Sequence, residues 1–171
     1  AFAAIRRQRP DARMIVVGDG PMREAIVRAH PDVVLAGMRH GEDLAAHYAS
    51  ADLFLFPSLT ETFGNVTLEA MASGLCVLAY DYAAAAEVIA DLGNGAVVRC
   101  GDEQGFVERA LQLALADTLR AELGVQARQT AIGIDWEAVN DHFSAALLRA
   151  WEGHRRSKVP ATDLRAREVQ G

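Results

Sequence analysis

The chain has 171 residues, with 17 basic and 23 acidic side chains and a formal net charge of −6 at pH 7. That length fits one domain with a sizeable core. The acidic balance argues against nucleic-acid binding, which needs a clustered positive face, and no apolar stretch reaches the roughly 20 residues of a membrane span. The two cysteines, Cys76 and Cys100, match no metal-ligand spacing and are expected to be free thiols, as in a reducing compartment.

Short apolar runs alternate with amphipathic segments along the chain. Strands are predicted at 14–18, 33–37, 52–58, 76–80 and 95–99. Helices are predicted between them at 21–30, 42–50, 65–73 and 85–91, and then in succession at 103–117, 119–132 and 135–153. Strand–helix alternation with short loops is typical of right-handed βαβ units. We therefore predict an α/β fold, a Rossmann-like doubly wound parallel sheet followed by C-terminal helices.

The two ends of the chain lead to further expectations. The first residues, AFAAIRRQRP, carry the apolar stripe of a helix at Phe2 and Ile5 and lack an initiating Met, so we interpret the chain as a fragment of a longer protein. Residues 154–171 lack apolar periodicity and are expected to form a loose tail. The predicted domain is therefore 1–153.

In sheets of this kind, ligands bind outside the carboxyl ends of the strands. One loop at that edge belongs to the stretch PSLTETFGNVTLEAMASG, where Glu61 and Glu69 lie on either side of Gly64 and a predicted helix start at Asn65. Free N–H groups and the helix dipole favour an anion at such a start, and carboxylates accept hydrogen bonds from hydroxyls. A nucleotide sugar, with hydroxyls on both sides of a diphosphate, fits this pattern. Solvated surface glutamates are the alternative.

The same stretch, PSLTETFGNVTLEAMASGLCVLA, resembles the E-x7-E signature of the family 4 (group 1) retaining glycosyltransferases. The resemblance continues in order through IVVGDGPMREAI, GMRHGEDLAAHYASADLFLFPS, EVIADLGNGAVVRCGD and DWEAVNDHF, and covers roughly residues 1–150. It implies the GT-B fold, of which this chain is similar to the C-terminal, nucleotide-sugar-binding domain. The whole enzyme would then move a sugar from a nucleoside diphosphate to an acceptor with retention of anomeric configuration.

The resemblance also implies roles for individual residues. Glu61 is the implied catalytic residue, holding hydroxyls of the donor sugar and helping it carry positive charge, and Glu69 is expected to bind the ribose hydroxyls. The implied donor-binding residues are Gly18, Gly37, Met38, Arg39, Ser58, Glu61, Thr62, Phe63, Gly64, Asn65, Val66 and Glu69. His40 stands beside the segment that borders the base and is a weaker candidate for ligand contact.

The family likeness extends to cofactors, partners and location. It implies no cofactor and no metal, a nucleotide sugar as donor, and a glycan or lipid acceptor bound through a missing N-terminal domain. That half would also make any peripheral contact with the inner face of the membrane, in a cytoplasmic protein. The sequence leaves the base, the sugar, the acceptor and the oligomeric state open, and the fragment alone is expected to be inactive.

Two departures from the family pattern keep alternatives open. The Arg and Lys that usually clamp the donor phosphates would lie before residue 1, and four alanines, 83–86, precede Glu87 where the family often has paired glycines. We expect this run to serve packing. The alternative functions are a non-catalytic nucleotide-sugar-binding module and a nucleotide-sugar epimerase on the same fold. GDGPMR does not complete a dinucleotide fingerprint, because Arg23 occupies the third glycine position, and no phospho-acceptor aspartate of a receiver module is recognisable.

Overall fold

The computed structural model describes residues 1–60 and 65–134, together with 145, 148, 149 and 151. The chain divides into two compact units, Ala1–Gly133 and Ile134–Gly171. Every element below belongs to the first unit. The predicted helix at 135–153 and the tail at 154–171 fall almost wholly outside the described residues, so the domain boundary at 153 stays a prediction.

The described elements follow the predicted alternation. The strands are β1 (Ile15–Val17), β2 (Val34–Gly37), β3 (Leu53–Phe56), β4 (Cys76–Tyr80) and β5 (Ala96–Val98). The helices are α1 (Phe2–Gln8), α2 (Arg23–Ala29), α3 (Gly41–Ala49), α4 (Asn65–Ala72), α5 (Ala83–Val88), α6 (Glu103–Leu115) and α7 (Asp117–Ile132).

All strand pairings between these elements are parallel. Within the described residues, β1 pairs with β2, and β4 lies between β3 and β5 in a separate three-stranded sheet. The parallel α/β prediction is confirmed. Helices α2, α4 and α5 serve as the crossovers that parallel pairing requires, and α3 connects the two sheets.

Strand β4 is the centre of the structure, and all five of its residues are buried. Because side chains alternate along a strand, its residues feed two cores. Cys76, Leu78 and Tyr80 pack with Ile5 of α1 and with apolar residues of α6. Val77 and Ala79 pack on the opposite face with residues of α4, α5 and α7. Helices therefore cover both faces of this sheet, which is the doubly wound arrangement.

Helix α7 packs closely against the end of α4. A Cβ added at Gly124 would collide with the backbone carbonyl oxygen of Gly74, so only glycine permits this approach. Arg128, one turn further along α7, donates a hydrogen bond to the carbonyl oxygen of Ala72 at 2.5 Å. The C-terminal end of α4 is thus held against α7, which keeps that helix fixed on the sheet.

Helix α5 differs from its predicted range of 85–91, because it begins at Ala83 and ends at Val88. Ile89 is already extended, at φ −100° and ψ 117°. The buried side chain of Asn94 stabilises this end: its amide donates to the Val88 carbonyl oxygen at 3.0 Å and its oxygen accepts from the Ala90 N–H at 2.8 Å. A side-chain contact across the loop therefore ends the helix, and helical periodicity alone does not reveal it.

Two further sequence predictions concern the cysteines and the absence of a membrane-spanning segment. Cys76 is buried and Cys100 is exposed, and both are free thiols. Burial raises the pKa of the Cys76 thiol to about 11, although the charge of Arg120 opposes the shift. In the part of the chain that the structure describes, no helix is both long and apolar enough to cross a bilayer.

Candidate functional site

The carboxyl ends of β1 and β2 meet through two glycines. The Gly18 N–H donates to the Gly37 carbonyl oxygen at 2.9 Å, and both residues have positive φ, at 127° and 73°. A Cβ at either position would have no atom within 4 Å. The bare backbone is therefore open to approach from outside, which is what a base or phosphate binding against this edge requires.

The predicted base-site segment continues into Met38 and Arg39. The Met38 side chain is 60% exposed. The Arg39 guanidinium contacts residues of its own loop and of α3. Its Nε donates to the Ala36 carbonyl oxygen at 2.9 Å, and its Nη1 donates to the Asp43 carboxylate at 3.0 Å. Arg39 is thus held in place by internal contacts, and two of its donor groups are already engaged.

The loop after β3 places Ser58 beside a shallow hollow at the carboxyl ends of β3 and β4. The hollow is lined by Phe56, Ser58, Thr67, Ala79, Tyr80, Tyr82 and Ala85. The Ser58 hydroxyl donates to the Thr60 carbonyl oxygen at 2.9 Å, so it shapes the loop that leads towards α4. The hollow lies at the edge where α/β sheets bind ligands.

Helix α4 begins at Asn65, as predicted, and its first turn contains no acidic residue. Asn65 is exposed and Val66 is half-buried. Backbone N–H groups in the first turn of a helix lack intrahelical acceptors and lie at the positive end of the dipole. An anion placed there is stabilised by roughly 0.3–1 kcal/mol through the dipole.

Four predicted site residues lie outside the described residues: Glu61, Thr62, Phe63 and Gly64. The predicted catalytic role of Glu61 and the predicted amide contacts at Phe63 and Gly64 therefore stay predictions.

Glu69 lies on α4 with its side chain exposed, beside helix α3. The hydroxyl of Tyr48, near the end of α3, donates to Glu69 Oε2 at 3.2 Å. Burial of Tyr48, with the negative charge of Glu69 and this hydrogen bond adding to it, raises the Tyr48 pKa to about 12. The phenol therefore stays protonated at neutral pH and acts as the donor, while the Glu69 carboxylate accepts.

Sequence reasoning did not single out Tyr48. A signal was present, because Tyr48 follows Leu44 by four positions and shares its helix face, which marks an inward-facing side chain. The contact with Glu69 spans 21 positions in the sequence and joins two helices. No periodicity within either helix predicts it.

Among the described residues, no group of three or more His, Cys, Asp and Glu side chains lies close enough together to hold a metal ion. His40 is exposed at the N-cap position of α3, next to Gly41 at φ 55°. No described hydrogen bond of the His40 side chain commits it to another group, and its contact with a ligand stays a prediction.

Comparison with known proteins assigns the chain to a family. Residues 1–116 match the profile of the family described as Glycosyl transferases group 1. The chain belongs to the group 1 glycosyltransferases. A relative in Mycolicibacterium smegmatis, the GDP-mannose-dependent alpha-mannosyltransferase, is 35% identical over 152 residues, which are 85% of this chain and 40% of that protein. That relative is named as a transferase.

Two solved structures show the same fold as this chain. HepE from Anabaena in complex with UDP-glucose is 25% identical, with a TM-score of 0.69 over 86% of this chain and 44% of that one. The C-terminal domain of the group 1 protein LpcC from Francisella tularensis, 22% identical, matches at a TM-score of 0.65 over 75% of this chain and 72% of that one. The fold is therefore that of the C-terminal half of a GT-B enzyme, and the chain spans less than half the length of the mannosyltransferase it matches.

Proposed function

We propose that this chain is the donor-binding part of a glycosyltransferase that moves a sugar from a nucleoside diphosphate to an acceptor. The observation that carries the proposal is the position of Glu69, an exposed carboxylate on α4, the helix that follows β3 and has no acidic residue in its first turn. Two further observations support it: the family to which the chain belongs, and the open backbone at Gly18 and Gly37, the glycine edge of the β1–β2 pair.

In this proposal the parts of the donor are divided among the strand ends. The diphosphate lies at the N-terminus of α4, against the N–H groups of Asn65 and Val66, because that helix end is positive and carries no acidic side chain. Glu69, about one turn further along α4, accepts hydrogen bonds from the ribose hydroxyls. The base lies towards Gly37, Met38 and Arg39. Each charge-assisted hydrogen bond to the carboxylate contributes about 1.5–3 kcal/mol.

The remaining features of the reaction are proposals that rest on the family likeness. Glu61 assists the donor sugar in the transition state, the anomeric configuration is retained, and no bound metal or cofactor takes part. The acceptor, a glycan or lipid, binds through a further domain. The protein acts in the cytoplasm, and that further domain makes any contact with the inner membrane face. The chain by itself binds the donor and transfers little, because transfer requires donor and acceptor to be held close together in the correct orientation.

Calorimetric titration of the chain with GDP and UDP tests the donor site. We expect Glu69→Ala to weaken binding of the preferred diphosphate by about tenfold or more, because the charge-assisted hydrogen bonds to the ribose hydroxyls are lost. Glu122→Ala is the matched control, since it removes the same charge from an exposed position on α7. Equal affinities for the wild type and Glu69→Ala contradict the proposed role of Glu69.

A further inference from the structure

Tyr48 is fixed at its ring and contacts Glu69 with its hydroxyl. The ring lies edge-on to Phe54 of β3, with ring centroids 5.8 Å apart, and Phe54 in turn stacks on Phe56 at 5.7 Å. Tyr48 also packs against the buried cluster that includes Ala70 and Met71 of α4. The hydroxyl therefore projects from a fixed position beside the sheet rather than from a mobile surface side chain.

Among the described residues, Glu69 has no comparable support of its own. It is exposed on α4, and the Tyr48 hydroxyl is the side-chain hydrogen-bond partner that the structure gives its carboxylate, through Oε2. A glutamate side chain has three rotatable bonds, and ordering it on ligand binding has an entropic cost. A hydrogen bond already made to one oxygen restricts those rotations before the ligand arrives, which reduces that cost.

We propose that Tyr48 is a positioning residue for the donor site: its hydroxyl holds Oε2 of Glu69 and presents the carboxylate to the ribose hydroxyls of the nucleotide. This inference rests on the proposed function, because it takes the ribose as the group that Glu69 receives. A carboxylate offers about four lone-pair sites, so the bond from Tyr48 leaves Oε1 and part of Oε2 available for two ribose hydroxyls.

The contrast between ribose and deoxyribose separates positioning from general stability. We expect the wild-type chain to prefer GDP or UDP over its 2′-deoxy and 3′-deoxy counterparts, and Glu69→Ala to lose that preference. Tyr48→Phe keeps the ring and removes the hydroxyl. It should weaken the ribonucleotide by about three- to tenfold, while the affinity for the 2′,3′-dideoxy form, which offers Glu69 no ribose hydroxyl, stays nearly unchanged. In the Glu69→Ala background, Tyr48→Phe should add nothing further.

Ser50→Ala is the matched control for this experiment. Its hydroxyl also lies at the end of α3 but bonds the His47 carbonyl oxygen at 3.0 Å, so its loss should leave the ribose preference unchanged. Thermal unfolding of each variant shows whether the fold is kept.

Three outcomes overturn the inference in different ways. If Glu69→Ala loses the ribose preference and Tyr48→Phe keeps it, Tyr48 does not position Glu69, and the proposed function stands. If the wild type shows no ribose preference, or Glu69→Ala keeps it in full, the proposed role of Glu69 and this inference fall together. A ribose preference that Ser50→Ala lowers as much as Tyr48→Phe also contradicts the inference, because the effect then belongs to the helix end as a whole.

Discussion

Ala83 has an unusual backbone conformation for a residue with a side chain. Its φ is 50°, at the first position of α5, where the preceding Tyr82 is extended. An L-residue in the left-handed region is destabilised by roughly 1–2 kcal/mol relative to ordinary helical geometry. A glycine at this position would adopt the same conformation without that strain. The alanine run therefore includes one strained position, alongside the buried Ala85 that supports its expected packing role.

Replacing Ala83 with glycine should stabilise the chain. The left-handed strain is removed, while the greater freedom of glycine in the unfolded chain offsets part of the gain. We expect the free energy of unfolding to rise by about 0.5–1 kcal/mol in urea titrations. Ala86→Gly, at an exposed helical position without positive φ, is the control and should lower it by about 0.5–1 kcal/mol. A fall in stability for Ala83→Gly would show that no strain is relieved.

For individual residues, the sequence predicts which are candidates for the binding site but not which other residues they contact. Glu69 and Asn65 could be proposed because a carboxylate and a helix start follow a strand. The hydrogen bond from the Tyr48 hydroxyl to Glu69 could not be predicted, because the two residues lie 21 positions apart on different helices. The conformation of Ala83 could not be predicted either, since four identical alanines give no local signal for positive φ.

Three helices meet at Asp117, where α6 ends and α7 begins. Arg120 and Arg9 both contact its carboxylate, at 2.8 and 2.6 Å, and both also donate to the Ala114 carbonyl oxygen at the end of α6. The two guanidinium groups thus share a carbonyl oxygen in the last turn of α6, where carbonyl groups lack intrahelical partners. Hydrogen bonds from Arg120 and Arg9 hold the pKa of Asp117 below its ordinary value.

This depressed pKa gives the junction a predictable pH dependence. The folded chain binds the Asp117 proton less readily than the unfolded chain, so the stabilisation is complete above the ordinary value of 3.8 and is lost as pH falls through the depressed one. We expect Asp117→Asn to be less stable than the wild type at pH 7 and the difference to shrink below pH 4. Urea unfolding at pH 7, 4 and 3 measures it. A difference that grows on acidification contradicts the assignment.

Element order and type were predictable, and some boundaries were not. The continuous apolar run CVLAY predicts a fully buried parallel strand, and β4 is one. Helix α4 begins where the sequence places it. The end of α5 was predicted three residues too late, because Asn94 ends that helix through its own side chain. Tertiary contacts of this kind override local pattern.

For the molecule as a whole, the candidate site is built from two sheets. The glycine edge belongs to the β1–β2 pair, and Ser58, Asn65 and Glu69 follow β3 in the other sheet. Alternation of strands and helices predicts that all these residues lie at carboxyl ends of parallel strands. It does not predict which strands are hydrogen-bonded neighbours. The hydrogen bond from Tyr48 to Glu69 links the helix that follows β2 to the helix that follows β3.

The central claim is that a nucleoside diphosphate binds at these strand ends. Amide chemical-shift changes in the ¹⁵N-labelled chain, on addition of GDP or UDP, test it most directly. The account predicts the largest changes at Gly18, Gly37 and Asn65–Thr67, together with Phe63 and Gly64. Changes confined to α6 and the outer side of β5, with the amides at the start of α4 unmoved, would contradict it.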